Sequence, residues 1–245
     1  MNASIVIPSR LESSRLPGKA LADICGIPLI LHVYYRSCLS NLVKNVYVAT
    51  DSQEIADVVS GAGGNVIMTS ALHKNGTERV AEAVSNIDSD FIVNVQGDEA
   101  LVNPLYIDTC LESLSCDPQA SASILVNKYN KSNSISDIKT VVDKNGYVMY
   151  FSRSDIPFCV GSFEQQYLKA YHVVSFRRNF LLTYPHLTQD QLELAESNEY
   201  LRILVHGYKI KTVEVESAAV SVDTTEDLVY VRNMMQLDPY FKTYS

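Results

Sequence analysis

The sequence has no tryptophan, no long apolar run and no excess of basic residues. Its 20 Lys and Arg residues are outnumbered by 28 Asp and Glu residues, which gives a formal net charge of −8. That balance argues against nucleic acid or an anionic membrane surface as a partner. No stretch approaches the roughly 20 apolar residues of a membrane-spanning helix, and no cationic segment precedes the first apolar run. We therefore expect a cytoplasmic protein.

Cysteine is also scarce. The chain has five cysteines, Cys25, Cys38, Cys110, Cys116 and Cys159. Their number is odd and no C-x-x-C spacing occurs, so the pattern argues against a disulfide framework and against a zinc site. It predicts buried free thiols.

The first half of the sequence alternates short β-branched runs with segments of helical spacing. A chain of 245 residues that is 47% hydrophobic can bury a sizeable core. The alternation is typical of an α/β fold with a mostly parallel central sheet. Strands are predicted at residues 3–8, 45–50, 65–68, 91–95 and 120–126, and helices at 28–42, 52–59, 77–84 and 103–115.

The second half changes rhythm. The turn that ends in Asn145-Gly146 predicts a hairpin, and an antiparallel extension is expected at about 135–178. Further elements are predicted as a strand at 167–176, a helix at 192–205, strands at 209–215 and 220–223, and a C-terminal helix capped by Thr224 or Thr225. No linker or repeat interrupts the chain, so residues 1–245 are expected to form a single domain.

The first strand leads into a cationic loop at residues 9–19. Arg10, Arg15 and Lys19 lie within ten residues of each other in an acidic chain. Ser, Gly and Pro in the loop allow its backbone N–H groups to surround an anion. The spacing is not that of a Walker A loop, because Ala20 replaces the Ser or Thr that binds magnesium. Two interpretations stay open at this point, a phosphate cradle and a solvated surface loop.

Two other segments carry groups suited to the same ligand. Asp98 comes just after the strand at 91–95, and ligands of open parallel sheets bind beyond the carboxyl ends of the strands. Asp98 is therefore a candidate ligand for a hard cation, with a simple turn cap as the alternative. Thr77 is predicted to cap a helix whose first amides can face an anion.

Five motifs, in order along nearly the whole chain, carry a family resemblance. They are Pro8-x-Arg10-x-x-Ser13-x-Arg15-Leu16-Pro17-Gly18-Lys19, Gly76-Thr77-Glu78-Arg79, Asn94-Val95-Gln96-Gly97-Asp98-Glu99, Tyr150-Phe151-Ser152-Arg153 and Val222-Asp223-Thr224. The sequence resembles the 3-deoxy-manno-octulosonate (Kdo) cytidylyltransferases, also called CMP-Kdo synthetases. The resemblance implies a Rossmann-like nucleotidyltransferase fold and a homodimer. It also implies that CTP and a 3-deoxy-2-ulosonic acid are joined into a CMP-sugar, with release of pyrophosphate, for lipopolysaccharide or capsule synthesis.

The resemblance also implies roles for individual residues. Arg10, Arg15 and Lys19 would bind the phosphates and act in catalysis together with Asp98, and Asp98 and Asp223 would hold Mg²⁺. The nucleotide would contact Ser9, Arg10, Arg15, Lys19, Ser70, Asn75, Gly76 and Thr77. The acidic sugar would contact Gln96, His172, Glu199 and Tyr200.

The chain departs from the family pattern mainly on the sugar side. Where Arg-His-x-Gly-Ile-Tyr is typical, it has Lys169-Ala170-Tyr171-His172-Val173-Val174, and Tyr200 stands where a Gln is expected. Either His172 and Tyr200 replace the missing contacts, or the acceptor is another acidic sugar, such as a sialic-acid-like sugar. His172 lies two residues from Ala170, so the two are expected on one face of a strand. A non-catalytic nucleotide-binding homologue is a third possibility, although Arg10, Arg15, Lys19, Asp98 and Asp223 are all present.

Overall fold

The computed structural model describes residues 1–13, 15–130, 133–160, 166–217 and 220–245. Ser14 of the predicted phosphate loop and residues 161–165 of the predicted extension lie outside this set. The strands are β1 (Ala3–Ser9), β2 (Asp23–Ile24), β3 (Ile27–Pro28), β4 (Asn45–Thr50), β5 (Asn65–Met68), β6 (Phe91–Val95), β7 (Ala122–Tyr129), β8 (Lys139–Val142), β9 (Val148–Ser152), β10 (Tyr167–Arg177) and β11 (Ile210–Val215).

Helices connect these strands. The α-helices are α1 (Leu29–Cys38), α2 (Gln53–Gly61), α3 (Gly76–Val84), α4 (Pro104–Cys116), α5 (Arg178–Thr183), α6 (Gln191–Glu196), α7 (Leu201–Val205) and α8 (Thr225–Leu237). Among the described residues, no helix is both long enough and apolar enough to cross a bilayer.

The central sheet is mixed. Its order is β11-β7-β10-β6-β1-β4-β5, and the hairpin of β8 and β9 joins it through β10. The pairs β1/β4, β1/β6, β4/β5 and β7/β11 are parallel, whereas β10 is antiparallel to β6, β7 and β8. A mostly parallel sheet with an antiparallel extension, as predicted, is confirmed. The parallel pairing brings the carboxyl ends of β1 and β6 together at one edge.

Both faces of the sheet are buried. Along β1, Ile5 and Ile7 pack into one apolar cluster with α1 and α4, while Val6 between them packs into a second cluster with α3. This alternation follows from the two-residue repeat of a strand. It explains why the strands read as continuous apolar runs, which is typical of sheets covered on both faces.

The single helix predicted at 192–205 is wrong, because the chain breaks it into α6 and α7. Ser197 adopts a left-handed conformation with φ of 47°. The Asn198 side chain then accepts a hydrogen bond from the Tyr200 amide at 3.0 Å. Side chains of this type compete with the helical backbone for hydrogen bonds. The break leaves Glu199 and Tyr200 in the connecting segment.

Two further local predictions are corrected. Asn75, and not Thr77, caps α3, since its side chain accepts a hydrogen bond from the Glu78 amide at 2.8 Å. Residues 220–223 form no strand, so Asp223 does not follow a strand end. The C-terminal helix is capped by Thr224 through a reciprocal capping box with Asp227, as predicted.

The cysteine prediction holds only in part. All five cysteines are free thiols, but Cys110 alone is buried, whereas Cys38 and Cys116 are exposed. The two exposed thiols belong to the last residues of helices α1 and α4. Composition alone does not distinguish such a helix end from a core position.

Candidate active site

A cavity of about 280 Å³ lies where β1 and β6 end. It is bounded by the cationic loop that follows β1, the start of α3 and the turn that follows β6. Nine of the residues predicted for the site line this cavity: Ser9, Arg10, Arg15, Lys19, Asn75, Gly76, Gln96, Asp98 and Asp223. The fold therefore gathers groups from four separate parts of the sequence.

The backbones at the two strand ends are in contact. A Cβ atom placed on Gly97 would lie 2.7 Å from the Pro8 carbonyl oxygen, a distance that real Cβ atoms do not reach. Glycine is required at position 97 for this reason, which composition and spacing do not reveal. At the other end of the loop, Gly18 has a φ of 68° and precedes the short 3₁₀ turn that carries Lys19.

Lys19 lies between the two predicted metal ligands. Its Nζ is 2.7 Å from Asp98 Oδ2 and 3.1 Å from Asp223 Oδ1. Arg15 Nη2 lies 3.0 Å from the same Asp223 oxygen. Burial opposes the charge on Lys19, but the two carboxylates outweigh it and raise the pKa of Lys19 above its ordinary value. These four side chains balance one another in charge, and all but Arg15 are at least partly shielded from solvent.

The donor set fits a hard divalent cation. One ammonium group contacts both Asp98 and Asp223, so the two carboxylates are close enough to share a cation. No cluster of three or more His, Cys, Asp or Glu side chains suited to a metal occurs in the part of the chain that the structure describes. Mg²⁺ typically takes one or two carboxylates and completes its shell with water and substrate phosphates, which matches this pair.

A second, larger cavity of about 690 Å³ adjoins the first. Five residues line both, namely Arg15, Gly76, Gln96, Asp98 and Asp223. The other predicted sugar-binding residues, His172, Glu199 and Tyr200, line only the larger one. Two ligands, one in each cavity, would meet at the wall that carries the two aspartates.

His172 and Tyr200 lie side by side in the larger cavity, with ring centroids 6.3 Å apart. The register between β10 and β7 shifts between Tyr171 and Val174, but the alternation used to place His172 holds. Ala170 and Val174 pack into the same apolar cluster as Tyr200, whereas Tyr171 and Val173 pack into the cluster on the other face. Burial lowers the pKa of His172 despite the nearby Asp98. The Tyr200 hydroxyl is buried with no hydrogen-bond partner in the described chain, so Tyr200 contributes its ring to the cavity wall.

Thr77 and Ser70 do not line either cavity. Thr77 is buried and binds Glu199 instead, its hydroxyl at 2.5 Å and its amide at 3.2 Å from Glu199 Oε1. Ser70 accepts a hydrogen bond from the Leu72 amide at 3.1 Å. Both residues therefore support the loop that carries Asn75 and Gly76. Burial raises the pKa of Glu199 to about 7, although the Thr77 hydrogen bonds lower it.

This pKa predicts a pH-dependent stability. In the unfolded chain Glu199 loses its proton near its ordinary pKa of 4.5, whereas the native state keeps the proton up to a pKa of about 7. The free energy of unfolding should therefore fall by about 1–3 kcal/mol as pH rises through this window. Urea unfolding of the wild type and of Glu199→Gln, from pH 4 to pH 8, measures the difference. Parallel curves for the two proteins would contradict the assignment.

Several residues of the larger cavity were not assigned roles from the sequence. Glu99 is fully buried, and burial together with Asp98 raises its pKa to about 8. Lys169 forms an ion pair with Asp137 at 2.6 Å, and Arg153 also lines the cavity. Glu99 and Arg153 belong to two of the five family motifs, and this membership was the sequence feature that could have identified them as site residues. Asp137 lies in a polar loop with no distinguishing spacing.

Known proteins resemble this chain over nearly its full length. A family model described as Cytidylyltransferase matches residues 4–210. A 3-deoxy-manno-octulosonate cytidylyltransferase of Trichlorobacter lovleyi is 40% identical over 96% of this chain and 99% of its own. The chain belongs to the 3-deoxy-manno-octulosonate cytidylyltransferase family. A second member, from Geobacter sulfurreducens, is 42% identical to it over 93% of this chain and 97% of its own.

Solved structures of nucleotidyltransferases share the fold of this cytidylyltransferase. A structure described as CMP:2-keto-3-deoxy-manno-octonic acid synthetase complexed with CTP matches with a TM-score of 0.93 and 38% identity. The match covers 97% of this chain and 99% of the other. A 4-diphosphocytidyl-2C-methyl-D-erythritol synthase from Anaerococcus prevotii matches with a TM-score of 0.65 at 12% identity, which bears on the fold alone. The predicted family and fold class are confirmed.

Proposed function

We propose that this cytidylyltransferase transfers the cytidylyl group of CTP to Kdo or a close relative, such as an amino-substituted Kdo, and releases pyrophosphate. The acceptor is a 3-deoxy-2-ulosonic acid, and the CMP-sugar serves lipopolysaccharide or capsule synthesis. The observation that carries the proposal is the shared wall of two polar cavities, where Lys19 contacts Asp98 and Asp223. The family membership supports the choice of substrates.

The smaller cavity suits the nucleotide. Arg10, Arg15 and Lys19 line it, so three cations offset the charge of a triphosphate. Asn75 and Gly76, at the start of α3, also line it and are available to the cytidine. The α-phosphorus would lie towards the shared wall, where an attacking hydroxyl from the neighbouring cavity can align with it.

Asp98 and Asp223 would hold Mg²⁺. The metal would supply charge neutralisation at the α-phosphate and acidify the sugar hydroxyl. The protein's own part is to hold the two carboxylates at one point and to keep Lys19 next to them. No side-chain general base is then required, and the residues act by positioning and electrostatics.

The larger cavity suits an acidic sugar. Arg15, Arg153 and Lys169 line it and provide positive charge for a carboxylate. Gln96 lies at the shared wall, and Glu199 and His172 offer hydrogen-bonding groups to hydroxyls. These contacts are proposed to align the anomeric hydroxyl with the nucleotide.

A different acidic acceptor, such as a sialic-acid-like sugar, is the second candidate. Ala170 and Val174 stand where the family pattern has His and Tyr, and both are buried. The acceptor contacts therefore differ from the family pattern. A non-catalytic homologue is disfavoured, because the five charged residues of the nucleotide site are retained and gathered in one place.

The decisive test is substrate selection. Pyrophosphate release is measured with Mg²⁺, each of the four nucleoside triphosphates, and a panel of Kdo, amino-substituted Kdo and sialic acid. We expect release with CTP and a 3-deoxy-octulosonate. Selective use of sialic acid would favour the second candidate, and no release with any pair would contradict catalysis.

The acceptor assignment predicts a selective effect of His172→Ala. Because His172 lies on the wall of the larger cavity alone, we expect the KM for the acceptor to rise about 10-fold while the KM for CTP changes less than about 2-fold. Tyr200→Phe, which removes a buried hydroxyl and keeps the ring, tests whether that hydroxyl matters to the acceptor. Steady-state kinetics with each substrate varied in turn measures both.

Tyr147→Phe serves as the matched control. The Tyr147 hydroxyl donates a 2.7 Å hydrogen bond to Asp117, and neither residue lines the two cavities. Its kinetic constants should match those of the wild type. Equal small changes for CTP and acceptor in His172→Ala would leave His172 a packing role only.

We also propose a homodimer. Four large apolar side chains between residues 135 and 160 are strongly exposed: Ile135 at 76%, Met149 at 63%, Phe158 at 87% and Val160 at 79%. Exposed apolar groups in one segment are typical of a protein interface. Light scattering should give twice the mass of the chain, and Phe158→Asp should give the mass of a monomer.

We further propose a cytoplasmic location, where CTP is made and free thiols persist.

A further inference from the structure

Asp223 lies in a segment that belongs to no strand or helix. Its position is therefore not set by the sheet that positions the rest of the nucleotide site. Two contacts hold the preceding residues, and both reach the turn that carries Asp98. The Val222 amide donates to the Asp98 carbonyl oxygen at 3.0 Å, and the Ser221 hydroxyl donates to Glu99 Oε1 at 2.5 Å.

The following residues are held separately. Asp227 Oδ2, at the start of α8, accepts hydrogen bonds from the amides of Asp223 and Thr224 at 3.1 and 2.9 Å. Asp223 thus lies between a helix-capping contact on one side and the Glu99 contact on the other. The helix cap fixes the backbone after Asp223, while Glu99 fixes the approach of the segment to Asp98.

Glu99 occupies an unusual environment for a carboxyl group. Its side chain is 0% exposed, and Oε2 has no hydrogen-bond partner among the described residues. A buried polar group with half of its hydrogen bonds unmade is costly to the fold. Within the described ranges, the one hydrogen bond that its side chain makes is to Ser221. Glu99 also lines the larger cavity, so it lies beside the reaction centre.

We propose that Glu99, acting through Ser221, is a positioning residue that fixes Asp223 opposite Asp98. The inference rests on the proposed function for the role of the two aspartates in holding Mg²⁺. Two carboxylates share one cation only within a narrow range of separations. No strand supplies that restraint, so the side-chain tether from the residue next to Asp98 adds to the single main-chain bond between Val222 and Asp98.

The first test is structural and does not depend on the metal. A crystal structure of Ser221→Ala, which removes only the tether's hydroxyl, should have the Asp223 carboxylate displaced from Lys19, beyond the 3.1 Å of the wild type. Ser221→Thr, which keeps the hydroxyl, should retain the contact. An unchanged Asp223 position in Ser221→Ala would overturn the proposal.

The second test is binding of Mn²⁺ in the presence of CTP, followed by electron paramagnetic resonance without acceptor. We expect Ser221→Ala and Glu99→Ala to weaken binding about 10-fold, and Ser221→Thr and Glu99→Gln to stay within about 3-fold of the wild type. Loss in Glu99→Gln equal to that in Glu99→Ala would overturn the tether. If Asp223→Asn binds Mn²⁺ like the wild type, Asp223 is not a metal ligand and that part of the proposed function is wrong. The crystal structure of Ser221→Ala then still shows whether Glu99 and Ser221 position Asp223.

Ser152→Ala is the matched control. The Ser152 hydroxyl donates to Glu196 at 2.7 Å, so this variant also loses one buried Ser–Glu hydrogen bond. Ser152 lines neither cavity. A comparable loss of thermal stability with unchanged Mn²⁺ affinity is expected. A Mn²⁺ affinity lowered as far as in Ser221→Ala would mean that general destabilisation explains the effect.

Discussion

Asp98→Asn and Asp223→Asn should each lower kcat at least about 100-fold, or about 2.7 kcal/mol in the activation barrier. Each substitution removes the charge of one of two carboxylates that face the same cation position at the shared wall. The asparagine keeps the size of the side chain, so the fold should persist. Kinetics at saturating CTP and acceptor, with circular dichroism to check folding, measures the effect.

Asp117→Asn is the control for these two variants. Asp117 accepts a hydrogen bond from Tyr147 and lies outside both cavities. It should lose some stability and keep its turnover. Near-normal kcat in a folded Asp98 or Asp223 variant would remove that residue from the metal site. A chelator should also abolish pyrophosphate release, with Mg²⁺ restoring it.

Lys19→Ala is expected to lower kcat/KM for CTP by about 100-fold. Among the described side chains, the Lys19 ammonium is the one group in contact with both aspartates, and it lies in the cavity proposed for the triphosphate. Its loss removes a phosphate contact and leaves two carboxylates without that counter-charge. Arg15→Ala should have a smaller effect, because its side chain is 57% exposed and contacts Asp223 alone among the described carboxylates.

Lys209→Ala provides the comparison for Lys19. Lys209 donates to Gln119 at 2.8 Å on the surface and lines neither cavity. Its kcat/KM should stay at the wild-type value. If Lys19→Ala lowers only the melting temperature and leaves kcat/KM unchanged, the loop has a structural role and the phosphate assignment is wrong.

Local pattern was sufficient for most of the sheet. β4, β5 and β6 begin and end where the apolar runs do, because each run is bounded by polar or glycine residues. The hairpin of β8 and β9 followed from the Asn145-Gly146 turn. These elements depend on short-range features that a single sequence contains.

The failures have a common physical origin in side-chain hydrogen bonds. Ser197 and Asn198 break a segment whose apolar spacing was helical. Asn75 caps α3, and the Thr77 hydroxyl binds Glu199 instead. Such contacts join residues more than a hundred positions apart, or depend on one backbone angle. Periodicity contains no information about either.

The cavity proposed for the nucleotide was largely predictable, because its residues lie in dense motifs and two of these motifs directly follow the ends of β1 and β6. The cavity proposed for the acceptor was less predictable from the sequence. Its shape depends on the chain break after α6, the register shift in β10 and the loop that carries Asp137. Glu99 was visible in the sequence next to Asp98. Its tether to Ser221 was not, because 122 positions separate the two residues.

The contact between Gly97 and Pro8 has a consequence for the entropy of the reaction. Since the two backbones touch, folding alone sets the distance from the cationic loop to Asp98. The groups proposed for catalysis would then act at a high effective concentration, because their relative translational and rotational freedom is lost on folding, before CTP binds. A side chain at position 97 would separate the two strand ends, so on this proposal part of the catalytic power resides in a missing Cβ atom.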